Sequence, residues 1–172
     1  MSKKNLIIKQ RNDVKYVEFY KVDSIYINKL RKLSKAKIFF DKRRPIIGVV
    51  LAFNGFNYFA PLTSATNSWE KANLQTVVKL KIIHENGFIE RLGMVRLNNM
   101  FPVPKKCLKL IDMDKLSDLK YKALLIKQQQ IVIKEEKRIK AKALKLRTKQ
   151  STEYVAALCS DFEKLENFCH TY

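Results

Sequence analysis

Four polar side chains flank two apolar runs and could together act on a phosphate group. Arg43 and Arg44 precede the run IIGVVLAF, and Thr63 and Ser64 follow the run FNYFAPL. An arginine guanidinium binds two phosphate oxygens at once and stays charged, while hydroxyls and turn N–H groups donate hydrogen bonds where negative charge develops. These residue types suit cleavage of RNA by its own ribose 2′-hydroxyl, because that reaction needs orientation, charge compensation and proton transfer.

A hairpin would bring these side chains together. Asn54-Gly55 separates the two runs, and this dipeptide favours the positive φ angles of a tight two-residue turn. A residue just before the first strand and one just after the second lie at the same open end, so Arg44 and Thr63-Ser64 are expected to be neighbours. The alternative from composition alone is a pair of solvated arginines beside an ordinary turn, and it stays open here.

Charge indicates the class of partner. The chain has 172 residues, with 35 Lys and Arg against 16 Asp and Glu, a net charge of +19. Such a field attracts polyanions, and nucleic acid is the leading candidate. No apolar stretch approaches the roughly 20 residues of a membrane span, and no signal peptide follows the basic start, so we expect a cytosolic protein. Cys107, Cys159 and Cys169 suit reduced packing thiols.

Metal and nucleotide chemistry lack the usual motifs. The histidines are His84 and His170, no His-x-x-x-His or paired Cys spacing occurs, and the acidic residues are scattered. A Gly-rich phosphate loop is also missing from the sequence. We therefore predict neither a metal nor another cofactor.

The pattern of apolar residues predicts an α+β fold in one domain, residues 1–172. VVKLKII and FIERLGMVRL, joined by HENG, give a second hairpin, and KYVEFYKV and CLKLID bring the count to five or six mostly antiparallel strands. A short helix over SIYINKLRKL is expected to turn Ile25, Leu30 and Leu33 inward. One long, lysine-rich amphipathic helix is predicted over residues 117–149, and a last helix over residues 152–169.

Four motifs occur in the same order as in a known family. The succession IIGVVLAFNGFNYFAPLTS, HENG, RLGMVRLNNMFPV and YKALLIKQQQ resembles the ToxN/AbiQ endoribonuclease toxins of type III toxin–antitoxin systems, from about residue 19 to 130. The resemblance implies a strongly twisted antiparallel sheet like that of Kid/MazF toxins, with helices around it. It also implies metal-independent RNA cleavage that leaves a 2′,3′-cyclic phosphate.

The resemblance assigns catalytic residues by position. Thr63 and Ser64 match the hydroxyl pair of the family's Leu-Thr-Ser, Arg44 takes the place of a basic residue before the first hairpin strand, and Tyr26 matches a helix tyrosine implicated in the active site. The alternative for Tyr26 is a half-buried aromatic residue. Thr66 stands where the ToxN branch has a lysine, so another cation must serve.

Further residues are expected to contact RNA. Lys71, Lys79 or Lys81 could supply the missing cation. Gln128 and Gln130 match a helix motif whose amides could read base edges, although helix packing and solvation explain them equally well. His84 could bond RNA, although Asn86-Gly87 beside it also suits a plain turn. The full predicted RNA-binding set is Arg43, Lys71, Lys79, Lys81, His84, Lys127, Gln128, Gln130 and Lys134.

The resemblance also implies partners. The family processes a small repetitive RNA that folds as a pseudoknot, is inhibited by it in a cyclic assembly, and often acts in abortive infection by phage. Cellular or phage RNA would be the substrate, and neither DNA nor membrane is expected as a partner. The leading alternative is a non-catalytic basic RNA-binding protein, in which the same lysines only bind.

Overall fold

Alternating apolar residues fold much of the chain into antiparallel strands. The computed structural model describes residues 8–11, 14–33 and 45–172. The strands are β1 (Ile8–Arg11), β2 (Val14–Val17), β3 (Phe19–Val22), β4 (Ile46–Phe53), β5 (Phe56–Thr63), β6 (Val77–Ile83), β7 (Ile89–Arg96), β8 (Phe101–Pro102) and β9 (Leu108–Leu110). The helices are α1 (Ser24–Leu33), α2 (Leu119–Lys134), α3 (Glu136–Thr148), α4 (Glu153–Leu158) and α5 (Phe162–Thr171).

One curled antiparallel sheet forms the centre of the fold. Its strands run in the order β6-β7-β5-β4-β3-β9, β8 pairs with β5, and β1 and β2 form a separate hairpin. Both predicted hairpins are present, and the α+β class and antiparallel sheet are confirmed. Asn54 and Gly55, with φ of 49° and 80°, form the turn between β4 and β5. The sequence predicted fewer strands because β1 and β8 were not anticipated and KYVEFYKV divides at Glu18 into β2 and β3.

Strand β5 joins the two halves of the sheet. Most of its length pairs with β4, but its last two residues, Leu62 and Thr63, pair with Val95 and Met94 of β7. This change of partner curls the sheet and fixes the end of β5 between two strands. Thr63 is therefore held by backbone pairing on a central strand.

Two apolar cores cover the two faces of the sheet. Tyr58, Ala60 and Leu62 of β5 belong to the larger core, which also contains buried residues of α2 and α3. Phe59, on the opposite face, belongs to a second core with α1 and Leu165 of α5. This alternation follows from the two-residue period of a strand, because successive side chains point to opposite faces.

The prediction of one continuous helix over residues 117–149 is wrong. Helix α2 ends at Lys134 and α3 begins at Glu136, with Glu135 between them at φ −89° and ψ 4°. The segment KEEKR contains no Gly or Pro, so the sequence gives no local sign of the break. Packing imposes it, because α2 lies against β2, β6 and β7 whereas α3 lies against β4.

The predicted last helix is also two helices. α4 ends at Leu158, and α5 starts after Asp161, whose side chain accepts a hydrogen bond from Lys164 N at 3.1 Å. An acidic N-cap of this kind is a recognised start signal that the apolar spacing obscured. In α1, Ile25 is 61% exposed rather than inward, while Tyr26, Ile27 and Leu30 are buried.

Among the helices in the described ranges, none combines the length and apolar character needed to span a membrane. Cys107 and Cys159 are buried free thiols, and Cys169 is a partly buried one.

Candidate active site

The end of β5 and the first half of α2 enclose a small cavity beside the predicted hydroxyl pair. Its volume is about 130 Å³. Thr63 is buried and Ser64 is exposed, and both line this cavity. The remaining lining residues are Pro45, Leu62, Tyr121, Leu124, Leu125 and Gln128. The cavity therefore places two hydroxyl residues next to an apolar wall.

Two residues that line this cavity carry a buried hydroxyl with no hydrogen-bond partner among the described residues. These hydroxyls are Thr63 Oγ1 and Tyr121 OH. Buried polar atoms are normally paired, since an unpaired one costs about 1–3 kcal/mol. Hydroxyls left unpaired in this way are suited to bind a polar ligand.

Tyr121 was missed as a site residue at the sequence level. Its position in the three- and four-residue apolar spacing of a helix made it a packing residue, although it opens the motif YKALLIKQQQ. Asp118 fixes the first turn of α2 by accepting a hydrogen bond from Tyr121 N at 3.0 Å. Burial raises the pKa of the Tyr121 phenol, so this hydroxyl stays protonated near neutral pH and acts as a hydrogen-bond donor.

Gln128 positions the neighbouring strand, and its contacts favour the packing alternative over the reading of RNA bases. Its side chain is 3% exposed, and its Nε2 donates to Leu92 O at 2.6 Å. Leu92 lies where the β6–β7 register shifts, between the paired residues Gly93 and Arg91. The amide thus ties α2 to an irregular point of β7, directly beside the end of β5.

Gly93 allows β7 to approach Thr63 closely. Its φ is +128°, and a Cβ added there would lie 2.2 Å from Thr63 O and 3.0 Å from Gln128 Nε2. The first contact is with backbone, which cannot move aside without disturbing β5. Any larger residue at this position would therefore displace Thr63.

Gly93→Ala is expected to lower the free energy of unfolding by roughly 3 kcal/mol or more and to reduce activity, because the new methyl group meets a backbone carbonyl at a strained φ. Gly87→Ala is the matched control: Gly87 has φ +80°, and an added Cβ meets nothing within 4 Å. The control should lose only about 1–2 kcal/mol. Urea denaturation measures both losses. Equal losses would contradict the proposed close packing.

Tyr26 is not among the residues that line the cavity. It is fully buried, its hydroxyl donates to Pro102 O at 2.7 Å, and its ring packs against Phe168 and Tyr172. This burial favours a packing role, and the catalytic contact stays a prediction. The alternative of an aromatic packing residue is closer to the structure, which buries Tyr26 completely.

The predicted arginines lie outside the described residues. Nothing structural is assigned to Arg43 or Arg44. The residue that follows them, Pro45, lines the cavity and accepts a hydrogen bond from Leu62 N at 3.1 Å.

The strand register places one of the predicted lysines in line with Thr63. Thr63 pairs with Met94, and Met94 pairs with Lys79 on the next strand. Paired residues share a face of the sheet, and two strand spacings are about 10 Å. Lys79 Nζ lies 5.1 Å from the centre of the Trp69 ring. Of the lysines considered for the missing cation, Lys79 therefore has the most direct structural relation to Thr63.

The other predicted RNA-binding residues lie elsewhere. Lys127 Nζ donates to Glu90 Oε1 at 2.6 Å, and His84 Nε2 lies 3.1 Å from Glu90 Oε2. Hydrogen bonds from Lys127 first, and then from His84, lower the pKa of Glu90, which keeps this carboxylate ionised. Four further members of the predicted RNA-binding set are exposed and do not line the cavity, namely Lys71, Lys81, Gln130 and Lys134. Their role in RNA binding stays a prediction.

The part of the chain that the structure describes holds no group of three or more His, Cys, Asp or Glu side chains placed to bind one ion. The site is instead built from hydroxyls, amides and a nearby lysine.

Comparison with known proteins identifies the class of fold. The solved structure of a type III toxin selectively inhibited by a non-coding RNA pseudoknot matches this chain with a TM-score of 0.79 and 31% identity. The match covers 91% of this chain and 97% of that chain. AbiQ, a lactococcal anti-phage endoribonuclease, gives a TM-score of 0.75 and 28% identity over 91% of this chain and 97% of its own. The fold is therefore that of type III toxins.

Sequence comparison identifies the family. Residues 18–170 match the family model described as toxin ToxN of type III toxin–antitoxin systems. Endoribonuclease ToxN of Bacillus thuringiensis subsp. kurstaki is 31% identical over 169 residues, which are 90% of this chain and 84% of that protein. The chain belongs to the ToxN family of toxins, a family of endoribonucleases. The resemblance inferred from the four motifs is confirmed.

Proposed function

We propose that the chain is a metal-independent endoribonuclease in which the substrate's own 2′-hydroxyl breaks the RNA backbone. The 2′-oxygen bonds to the adjacent phosphorus, and the bond from phosphorus to the 5′-oxygen breaks. The 2′-hydroxyl loses its proton, and the leaving 5′-oxygen gains one. The products are a 2′,3′-cyclic phosphate on one strand and a 5′-hydroxyl on the other.

The observation that carries this proposal is a pair of buried hydroxyls, Thr63 Oγ1 and Tyr121 OH, that have no partner among the described residues. Both residues line one cavity beside the exposed Ser64. Hydroxyls fixed before substrate binds can donate to oxygens of the phosphate as its charge grows, with little reorganisation. Because its pKa is raised, Tyr121 serves as a donor rather than a base. Ser64 is the member of the set most open to substrate.

Positive charge completes the proposed site. Lys79, in the cross-strand row of Thr63, is proposed to replace the lysine that the family carries at the position of Thr66. Thr66 itself begins a short helical turn, and its Oγ1 lies 3.0 Å from Ser68 Oγ. Because its side chain is neutral, it carries no charge to the phosphate. Arg44, directly before the cavity residue Pro45 in the sequence, is proposed as a second phosphate contact.

RNA is also the proposed regulator. The related toxin of known structure is inhibited by a non-coding RNA pseudoknot. We extend this to the present chain and propose that it acts in the cytosol as one catalytic domain. It would process a repetitive precursor RNA and be held inactive by the pseudoknot product in a cyclic assembly until phage infection. The net charge of +19 supports tight binding of such a polyanion.

The test of the proposed reaction is cleavage of mixed RNA in excess EDTA. We expect discrete fragments whose 3′ ends carry a cyclic phosphate. Such 3′ ends resist labelling until the phosphate is opened and removed. Ser64→Ala should reduce cutting by about 10²-fold or more and leave the thermal unfolding midpoint unchanged. Intact RNA with the wild-type protein would instead support the non-catalytic RNA-binding alternative.

A further inference from the structure

A second basic surface lies on α3 and α4, separate from the hydroxyl cavity. It is a groove of about 450 Å³. Three lysines of the α3 region, Lys142, Lys145 and Lys149, line it. The other residues of this groove, called here the α3 groove, are Gln75, Leu146, Thr152, Tyr154 and Val155.

The lysines of the α3 groove differ from three cations of α3 that are paired with acids. Arg138, Lys140 and Arg147 each form an ion pair with a glutamate. The ion pairs found among the described residues include none with Lys142, Lys145 or Lys149. Burial, and then repulsion from Arg138 and Lys145, lower the pKa of Lys142, as expected where positive charges crowd without a carboxylate. The α3 groove thus concentrates uncompensated charge.

One aromatic ring of the groove is fixed and open to solvent. Tyr154 is 51% exposed, and its hydroxyl accepts a hydrogen bond from Asn73 Nδ2 at 3.1 Å. An exposed ring held in place beside lysines is the arrangement on which nucleic-acid bases stack while their phosphates contact the cations.

The α3 groove continues toward the strand that carries Lys79. Lys142 Nζ donates to the backbone oxygen of Leu74. Leu74 also lines a neighbouring groove with Lys79, Lys81 and Arg138. Positively charged side chains therefore extend from β6, past the turn that precedes β6, to the end of α3.

We propose that the α3 groove binds a single-stranded segment of RNA that extends from the cleavage site, with phosphates on Lys142, Lys145 and Lys149 and one base stacked on Tyr154. This inference rests on the proposed function, because it concerns the same RNA. The groove would raise affinity for long RNA and have no part in the chemical step. A short RNA that fills the cavity alone would not reach it.

The test compares two triple variants of equal charge in a Ser64→Ala background, which prevents cutting. One is Lys142→Gln/Lys145→Gln/Lys149→Gln, and the control is Lys105→Gln/Lys109→Gln/Lys164→Gln, three exposed lysines elsewhere. Fluorescence anisotropy with a labelled unstructured 15-nucleotide RNA gives Kd at several KCl concentrations. The groove variant should weaken binding more than about tenfold and lower the slope of log Kd against log salt by about 2, since each phosphate contact on a single strand contributes about 0.7. The control should change Kd less than about threefold.

The aromatic contact has its own control. Tyr154→Ala should weaken binding by about tenfold, while Tyr154→Phe, which keeps the ring and loses the hydroxyl, should bind as the parent does. Equal weakening by both triple variants, or full affinity of Tyr154→Ala, would overturn the inference.

Cleavage separates this inference from the proposed function. In the active protein, the groove variant should cut a five-nucleotide RNA at the wild-type rate. If the wild-type protein bound RNA through the groove but never cut it, only the proposed function would be contradicted. If it cut RNA and the groove variant bound as the wild type does, only this inference would be contradicted.

Discussion

Thr63→Val is expected to reduce RNA cleavage strongly without destabilising the protein. Valine has the shape of threonine, and the hydroxyl that it lacks has no hydrogen-bond partner in the described part of the chain. Replacing an unpaired buried hydroxyl with a methyl group leaves the free energy of unfolding unchanged or raises it by up to about 1 kcal/mol. The same hydroxyl is proposed to donate to the phosphate, so the cleavage rate should fall by about 10²–10³-fold. Single-turnover kinetics and urea denaturation give the two numbers.

Two tyrosine variants make this test specific. Tyr121→Phe also removes an unpartnered hydroxyl at the cavity, and it should lose cleavage while retaining stability. Tyr26→Phe removes a hydroxyl that donates to Pro102 O, and it should lose about 1 kcal/mol of stability while cleaving normally. A Thr63→Val protein that cleaves at the wild-type rate would show that this hydroxyl has no part in the reaction.

Glu166→Gln is expected to cause a large loss of stability. Glu166 accepts hydrogen bonds from Arg147 Nε and Nη2, each at 2.9 Å, and from Tyr58 OH at 2.5 Å. Arg147 and Glu166 are both buried, and Tyr58 is fully buried. The hydrogen bond to Glu166 raises the pKa of Arg147 above its usual value, so the guanidinium remains charged. This network ties α3, α5 and β5 together.

Removing one charge of this pair leaves the other buried without compensation. The expected loss is about 3–5 kcal/mol, which lowers the unfolding midpoint by roughly 10 °C in a chain of this size. Glu163→Gln is the control, because Glu163 is 70% exposed at its side chain and lies 3.7 Å from Arg147 Nη1. The control should change stability by less than about 0.5 kcal/mol. Similar losses in both variants would contradict a structural role for the buried pair.

Local sequence signals predicted the hairpins and the position of the hydroxyl pair. Asn54-Gly55 sets the turn between β4 and β5 and the register of the adjoining pairs, from Phe53 with Phe56 to Leu51 with Tyr58. The order of the four motifs predicted the family, which the comparisons confirm. These features depend on residues close together in the chain, so the sequence contained them.

Features that depend on distant contacts could not be read from the sequence. The break at Glu135 arises from packing against different strands, and the burial of Tyr26 arises from Phe168 and Tyr172 at the far end of the chain. Gln128 looked equally suited to RNA and to packing until its amide was seen to donate to Leu92 O. Tyr121 became a site residue only when α2 and β5 were placed side by side.

The most direct test of the central claim uses a substrate with one atom removed. A cleavage site is first mapped on a short RNA, and the nucleotide on the 5′ side of that phosphate is then replaced by its 2′-deoxy form. In excess EDTA, attack by the 2′-hydroxyl predicts that the deoxy RNA binds with unchanged Kd and is not cut at that phosphate. Cutting of the deoxy RNA there at the all-ribose rate would contradict the mechanism.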